Sequence, residues 1–441
     1  MCREKIHKML KINTLRAFFS PFLGWRLARF SVLAALTCFF CVFSAGCGDG
    51  GSREVGQKDA GRSCADSVAW DSLEYSRMFR LGHACGDGVA EVRSIVGRDT
   101  LVRRVVVKEP FGRVVVLSSA QIGFMLRLGA EDRIVAVGEG KYVVDSLLYA
   151  KVKSGEIAEV GNGPSISLEK VVSLKPDLLM TFATGGSFDD YERLLTLGIP
   201  LLVSSEWQED HPLAKMEWIK LFGMMFGVDS LATAIYEQTK TDYLSSLVSR
   251  LSSNKGGVAG VSPAEGVADA KGRSPTESGM TISRSEGEAS PCPRVIAGMA
   301  YGGVWYAPGG RSYTAQLIRG AGGCYLWAGD TTREMRLSLE EVMLLADSAD
   351  VWVNPGAFGT VEEVLAAEPR VENLRAVRER RVIQNDGRKG PGGGNDFYES
   401  AVTRPVELVE NLRECLFAGF GGVTGGKMKT SHYKWYRNIY N

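Results

Sequence analysis

Charge of one sign is missing from this chain: Lys and Arg total 52, Asp and Glu 51, and the net charge is +1 over 441 residues. The basic excess of a nucleic-acid binder is therefore absent. Histidine is scarce, with 4 in the chain, and only His83 and His211 lie between Cys47 and the C-terminal tail. No His/Asp/Glu cluster has ligand spacing, so a free metal ion is a poor fit and any iron would arrive already chelated. No C-x-x-C occurs after Cys47, which argues against a zinc or redox centre. No G-x-S-x-G elbow is present. GGVTGGKM (421–428) has Met428 where a phosphate loop needs Ser or Thr, and it lacks a flanking strand and helix. GPGGGND (390–396) is no dinucleotide fingerprint. With neither a nucleophile–base pair nor a cofactor motif, the sequence reads as a protein without chemistry of its own.

What is present begins with an export signal. Arg3, Lys5, Lys8, Lys11, Arg16, Arg26 and Arg29 form a basic leader before the uncharged run FSVLAALTCFFCVF (30–43). That run falls short of the about 20 residues that span a bilayer, and it suits the core of a secretory signal. SAGC (44–47) follows and resembles a bacterial lipoprotein processing site, although Ser44 stands where Leu is usual. The resemblance implies a signal peptide over 1–46, lipidation of Cys47, a flexible tether over 47–70, and an exported protein anchored to a membrane of the cell envelope. A plainly cleaved signal, with Cys47 a bystander, is the alternative. A Cys64–Cys85 disulfide suits an oxidising compartment.

Short β-rich pieces, VAEVRSIV and LVRRVVV joined by a GRD turn, precede a change of pattern. From RVVVLSS (113–119) onward, apolar strands alternate with helices of about ten residues, the signature of βαβ units and a parallel sheet covered on both faces. A helical pattern from Leu213 to Leu251 then gives way to a Gly/Ser/Pro-rich stretch that cannot build a core. The α/β pattern resumes at RVIAGMAY (294–301). The expected architecture is α/β: an N-terminal lobe with a preceding β-hairpin over 71–225, a linking helix over 226–251, a disordered insertion over 252–293, a C-terminal lobe over 294–417, and a tail over 418–441. Mainly parallel sheets flanked by helices make up each lobe.

One phrase is written twice. ISLEKVVSLKPDLLM (166–180) returns as LSLEEVMLLADSADVWV (337–353), and each runs from Ser-Leu-Glu through a helix into a strand. Together with RVVVLSSAQIGFMLRLGAEDRIVAVGEG and VWYAPGGRSYTAQLIRGAGG, in this order over about 110–417, these resemble the substrate-binding proteins of bacterial ABC importers for ferric siderophores, haem and cobalamin. The resemblance implies two lobes on a rigid helix with the ligand in the cleft between them. Ala120-Gln121 departs from the family's usual Thr-Glu. By motif, the family's permease-docking glutamates fall on Glu169 and Glu340. Ser167 and Ser338 are also good N-caps, so a plain helix start competes with docking as the reason for these residues.

Ligands of open α/β sheets sit at the C-terminal ends of strands. Loops at those ends carry Tyr142, Trp207, Tyr301, Trp305, Tyr306 and Tyr398, whose flat faces suit a macrocycle or catecholate rings, and Arg311, Arg333 and Arg388, which suit carboxylates or an anionic iron chelate. His211 or one tyrosine keeps haem in play through axial ligation. The expected function is a binding lipoprotein that captures chelated iron of ferric-siderophore type and delivers it to a permease. Cobalamin or haem as ligand is the alternative, and an exported α/β enzyme ranks behind both. A surface protein that captures such ligands without a permease is the third reading.

Overall fold

The computed structural model describes residues 68–186, 189–253, 292–419 and 434–440. The signal, Cys47, Cys64, most of the tether and nearly all of the insertion lie outside the described residues.

Strands β1 (Ala69–Trp70), β2 (Phe79–Ala84), β3 (Asp87–Val96) and β4 (Asp99–Val107) form an antiparallel sheet in that order. The expected hairpin is thus half of a four-stranded sheet. Cys85 and Gly86 make the two-residue turn between β2 and β3, with φ of 54° and 94°, the left-handed pair that a tight hairpin demands.

The first α/β unit then runs β5 (Val114–Val116), α1 (Ser119–Leu128), β6 (Ile134–Val137), α2 (Ser146–Ser154), β7 (Ala158–Glu159), α3 (Leu168–Ser173), β8 (Leu178–Phe182), α4 (Tyr191–Leu195) and β9 (Leu201–Ser204). Its sheet is wholly parallel in the order β7-β6-β5-β8-β9. Both faces are buried: Val114, Val116, Met180 and Leu202 point into one core, while Val115, Leu179, Leu201 and Val203 point into another. This is why the strands read as unbroken apolar runs.

Helices α5 (Pro212–Phe226) and α6 (Asp229–Ser253) follow. The single helical pattern breaks at Gly227, left-handed at φ 67°, so the long helix starts at Asp229 rather than at residue 226. Ala232 and Tyr236 of α6 belong to the core shared with the first sheet, and Tyr243 belongs to the core of the second unit.

The second unit comprises β10 (Arg294–Ala297), β11 (Met299–Tyr301), β12 (Val304–Pro308), α7 (Tyr313–Gly320), β13 (Cys324–Tyr325), β14 (Glu334–Ser338), α8 (Leu339–Ala346), β15 (Val351–Val353), α9 (Val361–Ala367), α10 (Arg375–Arg378), β16 (Val382–Gln384), α11 (Pro405–Phe417) and β17 (Arg437–Asn438). Its main sheet has the order β13-β10-β15-β16-β17, parallel except for the last pair, and β11-β12-β14 form a small antiparallel sheet. Two features were not legible in the sequence. Cys292 and Cys324 form a disulfide beside the paired strands β10 and β13. The tail, expected to be patternless, supplies edge strand β17 and buries Trp435 and Tyr436. Cys85 is disulfide-bonded as well.

Candidate functional site

The C-terminal ends of β5, β8 and β9 are tied together by Gln121. Its side chain is wholly buried, and Nε2 donates to the Thr181 carbonyl and to Ser204 Oγ, each at 2.8 Å. Ala120-Gln121, in the first turn of α1, therefore has a structural task at this edge. Beyond β9, Glu206 and Trp207 lie on a single 3-10 turn; burial pushes the Glu206 carboxyl up. Next comes His211, the N-cap of α5, whose Nδ1 accepts the Leu213 N–H at 3.1 Å and whose ring stacks on Tyr75. Burial drives its pKa down to about 4, so the ring is neutral and occupied as a cap. Of the two ring nitrogens that axial ligation of haem could use, Nδ1 is thus already committed to the cap.

Among the contacts that join the units, two sets lie beside the residues expected to bind a ligand. In the first, Asp210 meets Arg333 at 2.6 Å, and the Lys215 ammonium stands 3.7 Å from the Tyr313 ring centre. Burial draws Lys215 down to about 8, opposed by the nearby Glu206 and Glu209 carboxylates. The second set is made by residues 386–400. A Cβ at Gly390 would lie 2.4 Å from Val144 Cα, and one at Gly392 would lie 2.7 Å from Lys141 Cα. The glycines of GPGGGND thus let two backbones touch. Glu399 accepts the Val144 and Asp145 N–H groups, each at 2.9 Å. A cavity of about 320 Å³ lies beside it, lined among others by Arg127, Asp145, Arg388, Asp396 and Arg404.

Burial pushes the Glu399 carboxyl up to about 7, aided by Asp396 and Asp145 and opposed by the two N–H donors. A carboxyl raised on folding holds its proton better in the native chain, so its contribution is full below about pH 4.5 and is lost as pH rises to about 7. At 1.36 kcal/mol per unit, the loss is about 3 kcal/mol. Urea unfolding at pH 4.5 and 7.5 should show that Glu399→Gln removes this part of the pH dependence. Equal slopes for the variant and the parent chain would contradict it.

The site residues expected from sequence fall into groups. Arg388 and Tyr398 share the 386–400 loop, whose Gly394 would set a Cβ 2.6 Å from the Tyr142 carbonyl, so Tyr142 joins them. Tyr398 is 57% exposed and sits edge-on to Phe397. Trp207 is half-buried in the same chain turn as Asp210, the partner of Arg333. Arg311 is exposed, and its N–H donates to the Thr332 carbonyl. Tyr301 and Tyr306 occupy the outer face of the β11–β12 hairpin, where Tyr301 is 69% exposed and Arg336 lies over Tyr306.

Trp305 must be withdrawn as a ligand face. Strand alternation turns it inward between Val304 and Tyr306; it is wholly buried against Trp352 and donates Nε1–H to the Ala297 carbonyl at 3.0 Å. Sequence reading placed it in an aromatic loop, whereas the period of two along β12 decides its direction.

Glu169 and Glu340 occupy equivalent places in the first turns of α3 and α8, and both are exposed. Ser167 caps α3 by accepting the Lys170 N–H, and Ser338 and Glu341 close a capping box. Helix starting is therefore carried by Ser167, Ser338 and Glu341, which leaves both glutamates outside the caps. Glu169 has no partner among the described residues, while Glu340 meets Arg370 at 3.0 Å.

Sequence reading missed two buried carboxylates on the strand–helix edge. Glu217 accepts the N–H groups of Glu74, Tyr75 and Ser76 at 2.8 to 2.9 Å. Glu209 takes the Arg77 and Met78 N–H groups, the Ser76 hydroxyl and the Trp218 indole. For Glu217 the signal was a glutamate in a mainly apolar helical stretch whose other charges are Lys215 and Lys220.

Among the described residues no helix is long and apolar enough to cross a membrane, and no group of three or more His, Cys, Asp or Glu is placed to hold a metal ion. Residues 114–256 match the model of the family described as periplasmic binding protein. An uncharacterised lipoprotein of Methanocaldococcus jannaschii is 20% identical over 321 residues, 70% of this chain and 66% of that one. The vitamin B12-binding protein of Vibrio parahaemolyticus is 31% identical over 97 residues, 22% of this chain. The chain thus spans 66% and 33% of the lengths of these two curated relatives. The ABC-type Fe3+-hydroxamate transport system structure from Saccharomonospora viridis aligns over 73% of this chain and 97% of its own, at 19% identity and a TM-score of 0.46. Over residues 114–256, then, this chain is similar to the family described as periplasmic binding protein.

Proposed function

We propose that the chain is the substrate-binding lipoprotein of an ABC importer, capturing chelated iron of ferric-siderophore type between its two units and handing it to a permease. The family match over residues 114–256 carries this reading. The fold supports it: two α/β units meet at strand-end loops bearing Tyr142, Trp207, Arg333, Arg388 and Tyr398. Helix α6 serves as the stiff joint, since it contributes to the cores on both sides. With the units already in contact through Glu399 and Asp210, closure on the ligand is small and the site is largely pre-formed. Cys47 carries the lipid anchor, in keeping with the lipoprotein relative. Glu169 and Glu340 dock the permease. Cobalamin is the second reading, favoured by the relative that is 31% identical over 97 residues.

Calorimetric titration of the purified full chain in detergent against a ferric hydroxamate siderophore, cyanocobalamin and haem tests the reading. One of the three is expected to bind saturably and one-to-one. Failure of all three at about 100 μM, a free energy of only about −5 kcal/mol, would remove it.

A further inference from the structure

The last described segment, 434–440, is fastened to the second unit at every step. Lys434 pairs with Glu414 at 2.7 Å, and the Tyr436 N–H donates to Asn411 Oδ1 at 2.7 Å. Arg437 grips Asp386 at 2.8 and 3.0 Å and donates to the Gly359 carbonyl at 2.7 Å. That would explain a docked terminus and nothing more. The same residues, however, reach the loop that touches the first unit.

The Gly387 N–H donates to the Trp435 carbonyl at 2.8 Å. Trp435 Nε1–H donates to Asp396 Oδ2 at 2.7 Å, and the Ser400 hydroxyl meets that oxygen at 2.6 Å. Arg388 Nη1 approaches Asp396 Oδ2 as well, at 3.2 Å. One buried carboxylate oxygen is thus shared by an indole from the terminal segment and a guanidinium that keeps 46% of its surface. A planar guanidinium held on a fixed carboxylate loses little freedom when it meets a second anion.

We propose that the terminal segment is a positioning strap for the binding loop: Trp435 orients Asp396, and Asp396 orients the Arg388 guanidinium to receive an anionic group of the ligand. The ligand half of this statement rests on the function proposed above; the strap half does not. Trp435 touches no ligand and acts through Asp396. The chemistry it serves is a carboxylate, catecholate or other acidic group on the chelate, because a guanidinium donates only.

Hydrogen exchange of the ligand-free full chain tests the strap. Trp435→Phe keeps most of the ring volume and removes the N–H donor. Amides of 387–400 are expected to exchange about tenfold faster in this variant, with those of β10 and α11 unchanged. Asp396→Asn, which keeps Trp435 in place, is expected to loosen the same loop. Unchanged exchange in both variants overturns the strap.

The binding arm uses whichever of the siderophore, cobalamin and haem binds the parent chain. Trp435→Phe and Arg388→Gln are each expected to weaken it about tenfold, and the double variant by no more than either alone, because both act through one contact. Losses that multiply in the double variant overturn the positioning role. Should the loop loosen while no ligand binds even the parent chain, the strap stands and the proposed function fails.

Discussion

Uptake is expected to fall to background when Glu169 and Glu340 are both changed to Lys, with ligand affinity unchanged within about twofold. The two carboxylates stand on different units, in the same turn of equivalent helices, and neither belongs to its helix cap. An exposed ion pair yields only about 0.2–1 kcal/mol. Two such pairs on one rigid body make attachment bivalent, and either alone would dissociate readily, as delivery requires. Glu340 is already held by Arg370, and a surface pair of this strength exchanges easily for an arginine of a partner. Reversal turns both attractions into repulsions, so the expected loss is far larger than from neutralising one. Each substitution costs the fold about 0.3–1 kcal/mol through the helix macrodipole, which thermal melting can check. Normal transport by the double variant would remove docking from these residues.

The second large effect concerns stability. Glu217 is wholly buried on α5, and its oxygens take three consecutive backbone N–H groups, from Glu74, Tyr75 and Ser76. Lys220 stands at 3.5 Å as its countercharge. Glu217→Ala would strand those donors and leave Lys220 with Glu237, at 3.7 Å, as its remaining carboxylate. At about 1–3 kcal/mol for each donor left unmade, the loss comes to about 5 kcal/mol, a large share of an ordinary domain's stability. It should appear as a lower urea midpoint with little change in slope. Glu217→Gln keeps one acceptor oxygen and should lose about half as much. A midpoint shift in Glu217→Ala worth under about 1 kcal/mol would contradict this account of how residues 74–76 are held.

What the sequence made legible was whatever repeats or alternates over many residues. The parallel sheet of the first unit was readable because strands buried on both faces are apolar throughout, as VVV at 114–116 and LLM at 178–180 are. The twin Ser-Leu-Glu helix starts were readable because a cap is local, needing only a hydroxyl and the turn that follows it. Trp305 failed for the opposite reason: β12 is five residues long, too short for its alternation to stand out beside Tyr301 and Tyr306. The terminal strand failed because its partner β16 lies about fifty residues earlier and its only local sign is a pair of aromatics. Nor could spacing pair Cys292 with Cys324, since what brings them together is the β10–β13 register, a tertiary fact. GPGGGND, set aside as a nucleotide motif, has its reason in the backbone of residues 141–144.

The central claim is that one guest is held by both units at once. Hydrogen exchange with and without the bound chelate reads this out segment by segment. Protection is expected in loops of the first unit, 138–145 and 204–211, together with 386–400 of the second, while the outer helices α3 and α8 stay unchanged. Protection confined to one unit, or spread over the whole molecule without focus on these loops, would contradict it.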